Sequence, residues 1–288
     1  MINIRRTLLM TPAVEKKKIE KASSLDIDAV LIDLEDSIVP NEKISAREKA
    51  VESLKSVDFG FRERMVRING IETEYWKDDL NAIINTELSS IMIPKVEKPS
   101  DIEQIEIYID KLEEENKISR NIGLILTIET AKGLVNIDQI CQNSRRIEGL
   151  FLGSGDYSMS TGIRICPESL QYPRSRLAVS AAARGVQAID AAYFINVKDV
   201  DEVKHDSLLA KDLGFSGKVI FHPLQITPVN EVFTPTFEEI EKAKKIVSAY
   251  EKSSKEGVGV FLVDGEFVAI DIVRMAQKTL AIADKMTH

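Results

Sequence analysis

The chain has 288 residues, of which 46 are acidic and 38 are basic, so its formal net charge at neutral pH is −8. This acidic balance argues against nucleic-acid binding through general electrostatics, and no apolar stretch is long enough to predict a membrane span. The two cysteines, Cys141 and Cys166, predict no disulfide framework, and together with a start that lacks a secretory signal they suit a cytoplasmic protein.

Short apolar runs alternate with charged, amphipathic segments along most of the chain, which is typical of strands buried on both faces with helices between them. The predicted strands are Thr7–Met10, Ala29–Leu34, Met65–Ile68, Ser90–Pro94, Gly123–Ile128, Ile147–Gly153, Gln187–Phe194 and Lys218–His222. The predicted helices are Glu15–Ser24, Glu42–Ser56, Tyr75–Thr86, Asp101–Asn116, Val135–Asn143, Arg174–Arg184 and Val200–Leu213. Eight strands favour a closed TIM (β/α)8 barrel over an open sheet, and no glycine-rich dinucleotide turn follows the first strand.

Polar residues at the helix ends predict where several helices begin and stop. Asn41 is expected to cap the second helix, with Ile44 on its inward face, and Ser100 is expected to cap the fourth. Asp199 is expected to cap the helix that starts at Val200, and Gly214 to end it.

The sequence changes character after Pro223. A charged helix is predicted over Thr236–Glu251, a hairpin around the turn Asp264–Gly265, and a last helix over Val273–Met286. We therefore predict a catalytic barrel over residues 1–226 and a helical and hairpin extension over residues 227–288, which serves as a lid and an oligomer contact.

Polar residues interrupt the ends of the apolar runs, and in a barrel these strand ends form the active-site mouth. Glu129 and Asp156 follow neighbouring strands and suit a hard divalent cation such as Mg²⁺, which prefers oxygen ligands. Arg67 has the planar fork that binds a carboxylate through two hydrogen bonds. The sequence therefore predicts a site for a 2-oxo or 2-hydroxy acid bound to magnesium. The other candidates at strand ends are Asp33, Glu35, Asp36, Asn69, Lys95, Glu97, Thr130, Asp190 and His222.

Each candidate also has a purely structural interpretation. An acid at a strand end often caps a helix or forms a salt bridge, and His222 is more readily explained as a structural histidine than as a catalyst. The lysines from Lys16 to Lys18 form a solvated helix face unless they meet phosphates. No histidine neighbours either cysteine, so a thiol nucleophile is not expected.

Several short motifs follow one another in a fixed order along the chain. They include Leu31–Ser37, Val66–Asn69, Pro94–Glu97, Ile128–Thr130, Gly153–Tyr157, Leu213–Lys218, His222–Ile226 and Ala269–Asp271. The ordered set resembles the citrate lyase beta subunit family, which includes citryl-CoA, malyl-CoA and citramalyl-CoA lyases. The likeness runs from about Arg5 to the last helix.

The resemblance implies a magnesium-dependent barrel that acts on CoA thioesters as a homo-oligomer, commonly a trimer or hexamer. By that likeness, Glu129 and Asp156 are the metal ligands, and Arg67 binds the oxo acid. Glu35 and Asp36 match acids near the metal-bound waters.

Two further correspondences lie outside the metal site. Asp271 matches a C-terminal acid that, in lyase and synthase relatives, can enter the site of a neighbouring subunit, and we expect it to exchange a proton with the enolate carbon of the acyl-CoA. Lys16 and Lys18 fall where relatives bind the CoA phosphates. The chain departs from the pattern at Gly155 and Ile272 and over residues 158–174, which bear on the substrate and the lid.

The resulting hypothesis is a carbon–carbon lyase that cleaves a 3-hydroxyacyl-CoA into a 2-oxo acid, such as oxaloacetate, and an acyl thioester, or forms it by condensation. One alternative is a subunit of a citrate lyase complex acting on citryl-acyl-carrier protein; others are malate synthase-like, thioesterase, or phosphoryl or enolpyruvate chemistry. A catalytically silent oxo-acid-binding subunit is the non-enzymatic alternative. No nucleic-acid or membrane partner is expected.

Overall fold

Eight parallel strands form the centre of the protein in a computed structural model that describes residues 4–142, 144–192, 195–255 and 260–286. The strands are β1 (Thr7–Pro12), β2 (Ala29–Asp33), β3 (Glu63–Arg67), β4 (Ser90–Ile93), β5 (Gly123–Ile128), β6 (Ile147–Leu152), β7 (Gln187–Ala191) and β8 (Gly217–Ile220). Each strand pairs with the next in sequence, and β1 also pairs with β8, so the sheet closes on itself. The closed order confirms the predicted TIM barrel.

Side chains that alternate along each strand fill the inside of the barrel. Leu8, Leu31, Met65 and Met92 belong to one cluster of buried apolar residues, to which every strand of the barrel contributes. Because side chains alternate with a period of two, residues two positions further along point in the same direction, above this cluster. That rule places Asp33 and Arg67 at the carboxyl end of the barrel.

Helices connect the barrel strands at all the predicted positions, and one more helix follows β8. They are α1 (Lys16–Ala22), α2 (Lys43–Ser56), α3 (Trp76–Ile83), α4 (Pro99–Glu115), α5 (Ala131–Cys141), α6 (Ser154–Thr161), α7 (Pro167–Arg184), α8 (Val200–Asp212) and α9 (Ile226–Phe233). The sequence pattern missed α6 and α9 entirely and missed the first turns of α7. Pro167 occupies the first position of α7, where its missing N–H costs nothing. The ends of two predicted elements, at Asn143 and Phe194, lie outside the described residues.

The predicted helix caps had mixed outcomes. The Asp199 side chain accepts a hydrogen bond from the Glu202 N–H, and Gly214 follows α8 with a φ of +100°, as predicted. Helix α4 instead begins at Pro99, so Ser100 is not its cap; Asp101 accepts hydrogen bonds from the backbone ahead of the helix. Ile44 is 70% exposed, so its predicted inward position was wrong.

A second compact unit begins at Glu231, and the barrel unit spans Arg5–Asn230. The second unit contains α10 (Phe237–Lys255), the antiparallel strands β9 (Phe261–Val263) and β10 (Glu266–Val268), and α11 (Ile270–Met286). Asp264 and Gly265 connect the two strands with φ values of +50° and +85°, which fits the predicted hairpin turn. Ile246, Val268 and Val273 form part of its own small core. Among the helices of the described ranges, none combines the length and hydropathy needed to cross a membrane.

Candidate active site

A cavity of about 500 Å³ opens at the carboxyl ends of the barrel strands. Asp36, Arg67, Glu129 and Asp156 supply its charged lining. Its remaining wall is formed by small residues of the segment 153–158 and by six apolar side chains, which are Met10, Phe151, Met159, Ile165, Ala191 and Phe221. The structure thus places four of the predicted site residues around one cavity.

Arg67 is held in place by an acid on the neighbouring strand. Its Nε and Nη2 atoms donate to the two carboxylate oxygens of Asp33 at 2.6 and 2.8 Å, and its Nη1 lies 2.9 Å from Oε2 of Glu35. Asp33 and Arg67 are direct partners in the β2–β3 register, which explains why the fork meets the carboxylate. Burial acts to raise the pKa of Asp33, but the guanidinium and neighbouring hydrogen bonds outweigh it and hold that pKa below its ordinary value.

Glu129 follows β5 and is only 2% exposed. Its Oε1 accepts a hydrogen bond of 2.8 Å from the Lys95 N–H. Burial, together with the neighbouring carboxylates of Glu35 and Asp156, raises the pKa of Glu129 to about 8, although the Lys95 N–H and Arg67 oppose that shift. A buried carboxylate repelled by two others is a group that a divalent cation would stabilise.

Gly153 makes room for the Glu129 carboxylate. A Cβ atom added at Gly153 would lie 2.4 Å from Oε2 of Glu129, which is closer than any ordinary contact. Asp156 lies in the first turn of α6, half-buried, and lines the same cavity as Glu129. Two carboxylates facing one cavity fit magnesium, which commonly keeps several waters and takes one or two protein ligands.

The described residues do not form a complete protein cage for a metal: they contain no group of three or more His, Cys, Asp or Glu side chains placed to hold an ion. A site built from Glu129 and Asp156 would therefore leave coordination positions for water and substrate oxygens. That arrangement suits a catalytic ion better than a structural one.

Glu35 and Asp36 stand beside the cavity in different environments. Glu35 is buried, and its Oε1 accepts a hydrogen bond of 2.8 Å from Nζ of Lys95. Burial raises the pKa of Glu35 above its ordinary value, although Arg67 and Lys95 oppose that shift. Asp36 is exposed, lines the cavity and lies 3.5 Å from the same Nζ atom.

Lys95 is a site residue to which the sequence assigned no role. Its φ of +52° lies in the left-handed region, which is costly for a residue with a side chain. In this conformation the backbone N–H of Lys95 donates to Glu129, and the ammonium group of Lys95 donates to Glu35. Its position after β4 singled it out in the sequence, but a positive φ leaves no sequence signal at a lysine.

Besides Glu35, three residues with a predicted site role lie outside the lining of this cavity, namely Lys16, Lys18 and Asp271. Nζ of Lys16 lies 2.5 Å from Glu52, and Nζ of Lys18 lies 2.7 Å from Glu15, so both ammonium groups pair with surface acids. Asp271 is exposed in the first turn of α11, within the second unit.

Asp190 and His222 have structural roles. Asp190 is fully buried, and its Oδ2 lies 2.6 Å from Nζ of Lys218, which also lies 2.6 Å from Asp206. Arg174 completes this buried set of two cations and two anions at 2.9 Å from Asp190 and 2.6 Å from Asp206. Nδ1 of His222 accepts a hydrogen bond from the Leu224 N–H and caps a short 3₁₀ turn.

The chain is similar to known proteins over most of its length. Residues 6–223 match the family model described as HpcH/HpaI aldolase/citrate lyase. The chain is 33% identical over 294 residues to the mitochondrial citramalyl-CoA lyase of Homo sapiens, covering 97% of this chain and 85% of that protein. It is 34% identical over 281 residues to a (3S)-malyl-CoA thioesterase of Cereibacter sphaeroides, covering 97% and 94%. It is also similar to the citrate lyase beta subunit of M. tuberculosis complexed with oxaloacetate and magnesium, with 25% identity and a TM-score of 0.68 over 81% of this chain and 98% of that one.

Proposed function

The chain belongs to the HpcH/HpaI aldolase/citrate lyase family, and on that premise we propose that it is a magnesium-dependent carbon–carbon lyase. Its substrate is a 3-hydroxyacyl thioester of CoA, such as citramalyl-CoA, malyl-CoA or citryl-CoA. The products are a 2-oxo acid and an acyl thioester, and the reverse reaction is a Claisen-type condensation. The observation that carries the proposal is the cavity in which Glu129, Asp156 and Arg67 meet.

The chemistry balances without any further reactant. The substrate hydroxyl loses its proton, the bond between the carbinol carbon and the α-carbon of the thioester breaks, and the electron pair of that bond leaves as the thioester enolate. A proton then adds to the enolate carbon, so one thioester yields one oxo acid and one acyl thioester. Magnesium, when bound by Glu129 and Asp156, supplies Lewis acidity to the oxygens of the reacting acid.

The chain's own residues orient the substrate and move the protons. The outer edge of the Arg67 guanidinium, which Asp33 leaves uncovered, can hold the substrate carboxylate and oppose the charge that develops beside it. We assign the proton that enters the enolate carbon to Asp271, an exposed acid in the first turn of α11 that matches the C-terminal acid of the family.

The remaining site residues complete the proposal. Glu35 and Asp36, which share the ammonium of Lys95, are assigned to the waters around the cation. The lysine-rich start of α1, with Lys16 and Lys18, is assigned to the phosphates of CoA, since surface ion pairs exchange partners at little cost.

Three finer features belong to the same proposal. We assign the extension after the barrel, residues 227–288, to a lid and a contact between subunits of a homo-oligomer. Free CoA is the proposed carrier, and an acyl-carrier protein is the alternative that applies if the chain is a subunit of a citrate lyase complex. The cytoplasmic location stays a prediction; the human relative is mitochondrial.

Thioester hydrolysis is the second candidate function, because one relative of comparable similarity is a malyl-CoA thioesterase. It would break the carbon–sulfur bond and release free CoA together with the intact hydroxy acid. The two activities are therefore separated by their products: a lyase releases a 2-oxo acid, and a thioesterase releases a free thiol.

The test is a panel of citramalyl-CoA, malyl-CoA and citryl-CoA, each incubated with the purified protein in magnesium and in chelator. We expect magnesium-dependent release of 2-oxo acid without release of free thiol. Asp156→Asn should abolish the magnesium-dependent release of 2-oxo acid. Asp110→Asn, which removes an exposed carboxylate of α4, is the matched control and should retain that release. Release of thiol without oxo acid would replace the lyase with a thioesterase, and no product from any thioester would overturn both.

A further inference from the structure

We propose that the site selects a 2-oxo acid with a single carboxylate and a small uncharged substituent, as in pyruvate, over a dicarboxylic 2-oxo acid such as oxaloacetate. The inference rests on the proposed lyase function and names the substrate class of the same cavity. It follows from the charges and the apolar surface that line the cavity.

Positive charge is scarce in the cavity. Among the described residues that line it, Arg67 is the sole cation, whereas Asp36, Glu129 and Asp156 are acids. A divalent cation on Glu129 and Asp156 would balance those two carboxylates. Arg67 then remains as the one positively charged side chain, among the described lining residues, that can form an ion pair with a substrate carboxylate.

Arg67 has room for one carboxylate at most. A guanidinium carries five N–H groups, and the edge formed by Nε and Nη2 is taken by Asp33 at 2.6 and 2.8 Å. The Nη1 atom already lies 2.9 Å from Glu35. What remains is the outer edge between Nη1 and Nη2, which matches the two oxygens of a single carboxylate.

The ammonium groups of two nearby lysines, Lys95 and Lys43, already contact oxygen atoms of the protein. Nζ of Lys95 lies 2.8 Å from Glu35 and 3.5 Å from Asp36, and its side chain lines a different cavity. Nζ of Lys43 is buried and donates to the backbone oxygens of Leu34 and Glu35 at 2.8 and 2.7 Å. Neither ammonium group is placed to pair with a second substrate carboxylate.

The wall away from the acids is apolar. It consists of Met10, Phe151, Met159, Ile165, Ala191 and Phe221. Phe151 and Ala191 are at most 4% exposed, whereas Met159 and Phe221 are 77% and 37% exposed. A methyl group would pack favourably against the buried part of this wall, which Phe151 and Ala191 form. An unpaired carboxylate there would lose its hydration without gaining a partner, which is costly.

The experiment compares citramalyl-CoA, which yields pyruvate, with citryl-CoA, which yields oxaloacetate, under identical magnesium concentrations. Pyruvate and oxaloacetate are quantified by separate coupled reductions. We expect kcat/KM to favour citramalyl-CoA by at least about tenfold, the discrimination typical of a site that leaves a charged group unpaired. Calorimetric titration with pyruvate and with freshly dissolved oxaloacetate, each with magnesium, should show the same order of affinity.

A charge-addition variant tests the cause of the preference. Ile165→Lys places an ammonium group on the half-buried loop between α6 and α7, at the edge of the cavity. It should shift the ratio of the two kcat/KM values toward citryl-CoA by about tenfold or more, as a new carboxylate partner would. Ile107→Lys adds the same charge on the exposed face of α4, where Ile107 is 70% exposed, and should leave the ratio unchanged.

Equal or greater kcat/KM for citryl-CoA would overturn the inference and leave the lyase function standing. Cleavage of neither thioester would overturn the proposed function, and the calorimetric comparison would then decide the inference alone: tighter binding of oxaloacetate refutes it. The M. tuberculosis relative is complexed with oxaloacetate, so a preference for pyruvate would distinguish this chain from a relative that binds the dicarboxylic acid. If Ile165→Lys leaves the ratio of the two kcat/KM values unchanged, the lack of a second cation is not the cause of the preference.

Discussion

Replacement of Glu129 by glutamine should stabilise the protein when magnesium is removed by a chelator. The carboxyl group is 2% exposed, and its pKa is raised to about 8 by burial and by the carboxylates of Glu35 and Asp156. An ordinary glutamate ionises freely in the unfolded chain at neutral pH, whereas this one resists ionisation in the folded chain. The folded state is therefore destabilised as pH rises, because the unfolded state releases the proton more readily.

The size of this effect follows from the gap between the two pKa values. Between the ordinary value of 4.5 and pH 7 there are about 2.5 pH units, each worth about 1.36 kcal/mol, so the cost is about 3 kcal/mol. Stability from this group is fully present below pH 4.5 and is lost as pH rises through 8. Glutamine has no such ionisation and escapes the cost.

The assay is urea unfolding in chelator between pH 5 and pH 8 for the wild type and Glu129→Gln. The gain in unfolding free energy of the variant should be about 3 kcal/mol larger at pH 8 than at pH 5. Glu103→Gln removes an exposed carboxylate of α4 and is the control. A gain that does not change with pH, or a variant less stable than the wild type at pH 8, would refute the reasoning. Magnesium should raise the Tm of the wild type and not that of Glu129→Gln.

Three further changes probe the supporting structure. Lys95→Ala should be less stable than Lys95→Gly by about 1 kcal/mol, because only glycine adopts a φ of +52° without strain; equal Tm values in thermal unfolding would contradict this. Gly153→Ala should weaken magnesium binding measured by calorimetry at least about tenfold, since its Cβ would lie 2.4 Å from Glu129 and must displace a carboxylate oxygen that coordination requires; unchanged affinity would contradict that role. Asp206→Asn should cost about 3 kcal/mol in urea unfolding at pH 7, because it removes a partner of the buried Lys218. The pKa of Asp206 is lowered because its cations outweigh burial, so its stabilisation is present above the ordinary value of 3.8 and is lost as pH falls further; a cost for Asp206→Asn that stays constant down to pH 3 would be inconsistent with it.

The strands were predictable because burial on both faces leaves a sequence signal. Runs such as Gly123–Ile128 are apolar except for Thr127, and the structure places that strand at the predicted bounds. The polar residues that follow the runs predicted the cavity, since parallel strands place their carboxyl ends together.

The pairing of Arg67 with Asp33 could have been found from the same signal. Both residues lie two positions after apolar residues of the barrel interior, Met65 and Leu31, and so point the same way. The missing information was the register between neighbouring strands, which sets Asp33 opposite Arg67. Register depends on the closure of the whole barrel, and no single strand encodes it.

The remaining features were not readable from local patterns. Helix α6 is short and polar, and it starts directly after Gly153, which leaves room for Glu129. The left-handed backbone of Lys95 is imposed by its surroundings, because lysine has no intrinsic preference for it. Helix α7 contains Pro173, which sequence reasoning treats as a break.

The most direct test of the account is the release of 2-oxo acid from citramalyl-CoA by the purified wild-type protein, measured with magnesium and again with excess chelator. We predict pyruvate and acetyl-CoA in equal amounts with magnesium, and neither product in chelator. Cleavage that continues at the same rate in chelator, or no pyruvate with magnesium present, would contradict a metal-dependent lyase built on Glu129, Asp156 and Arg67.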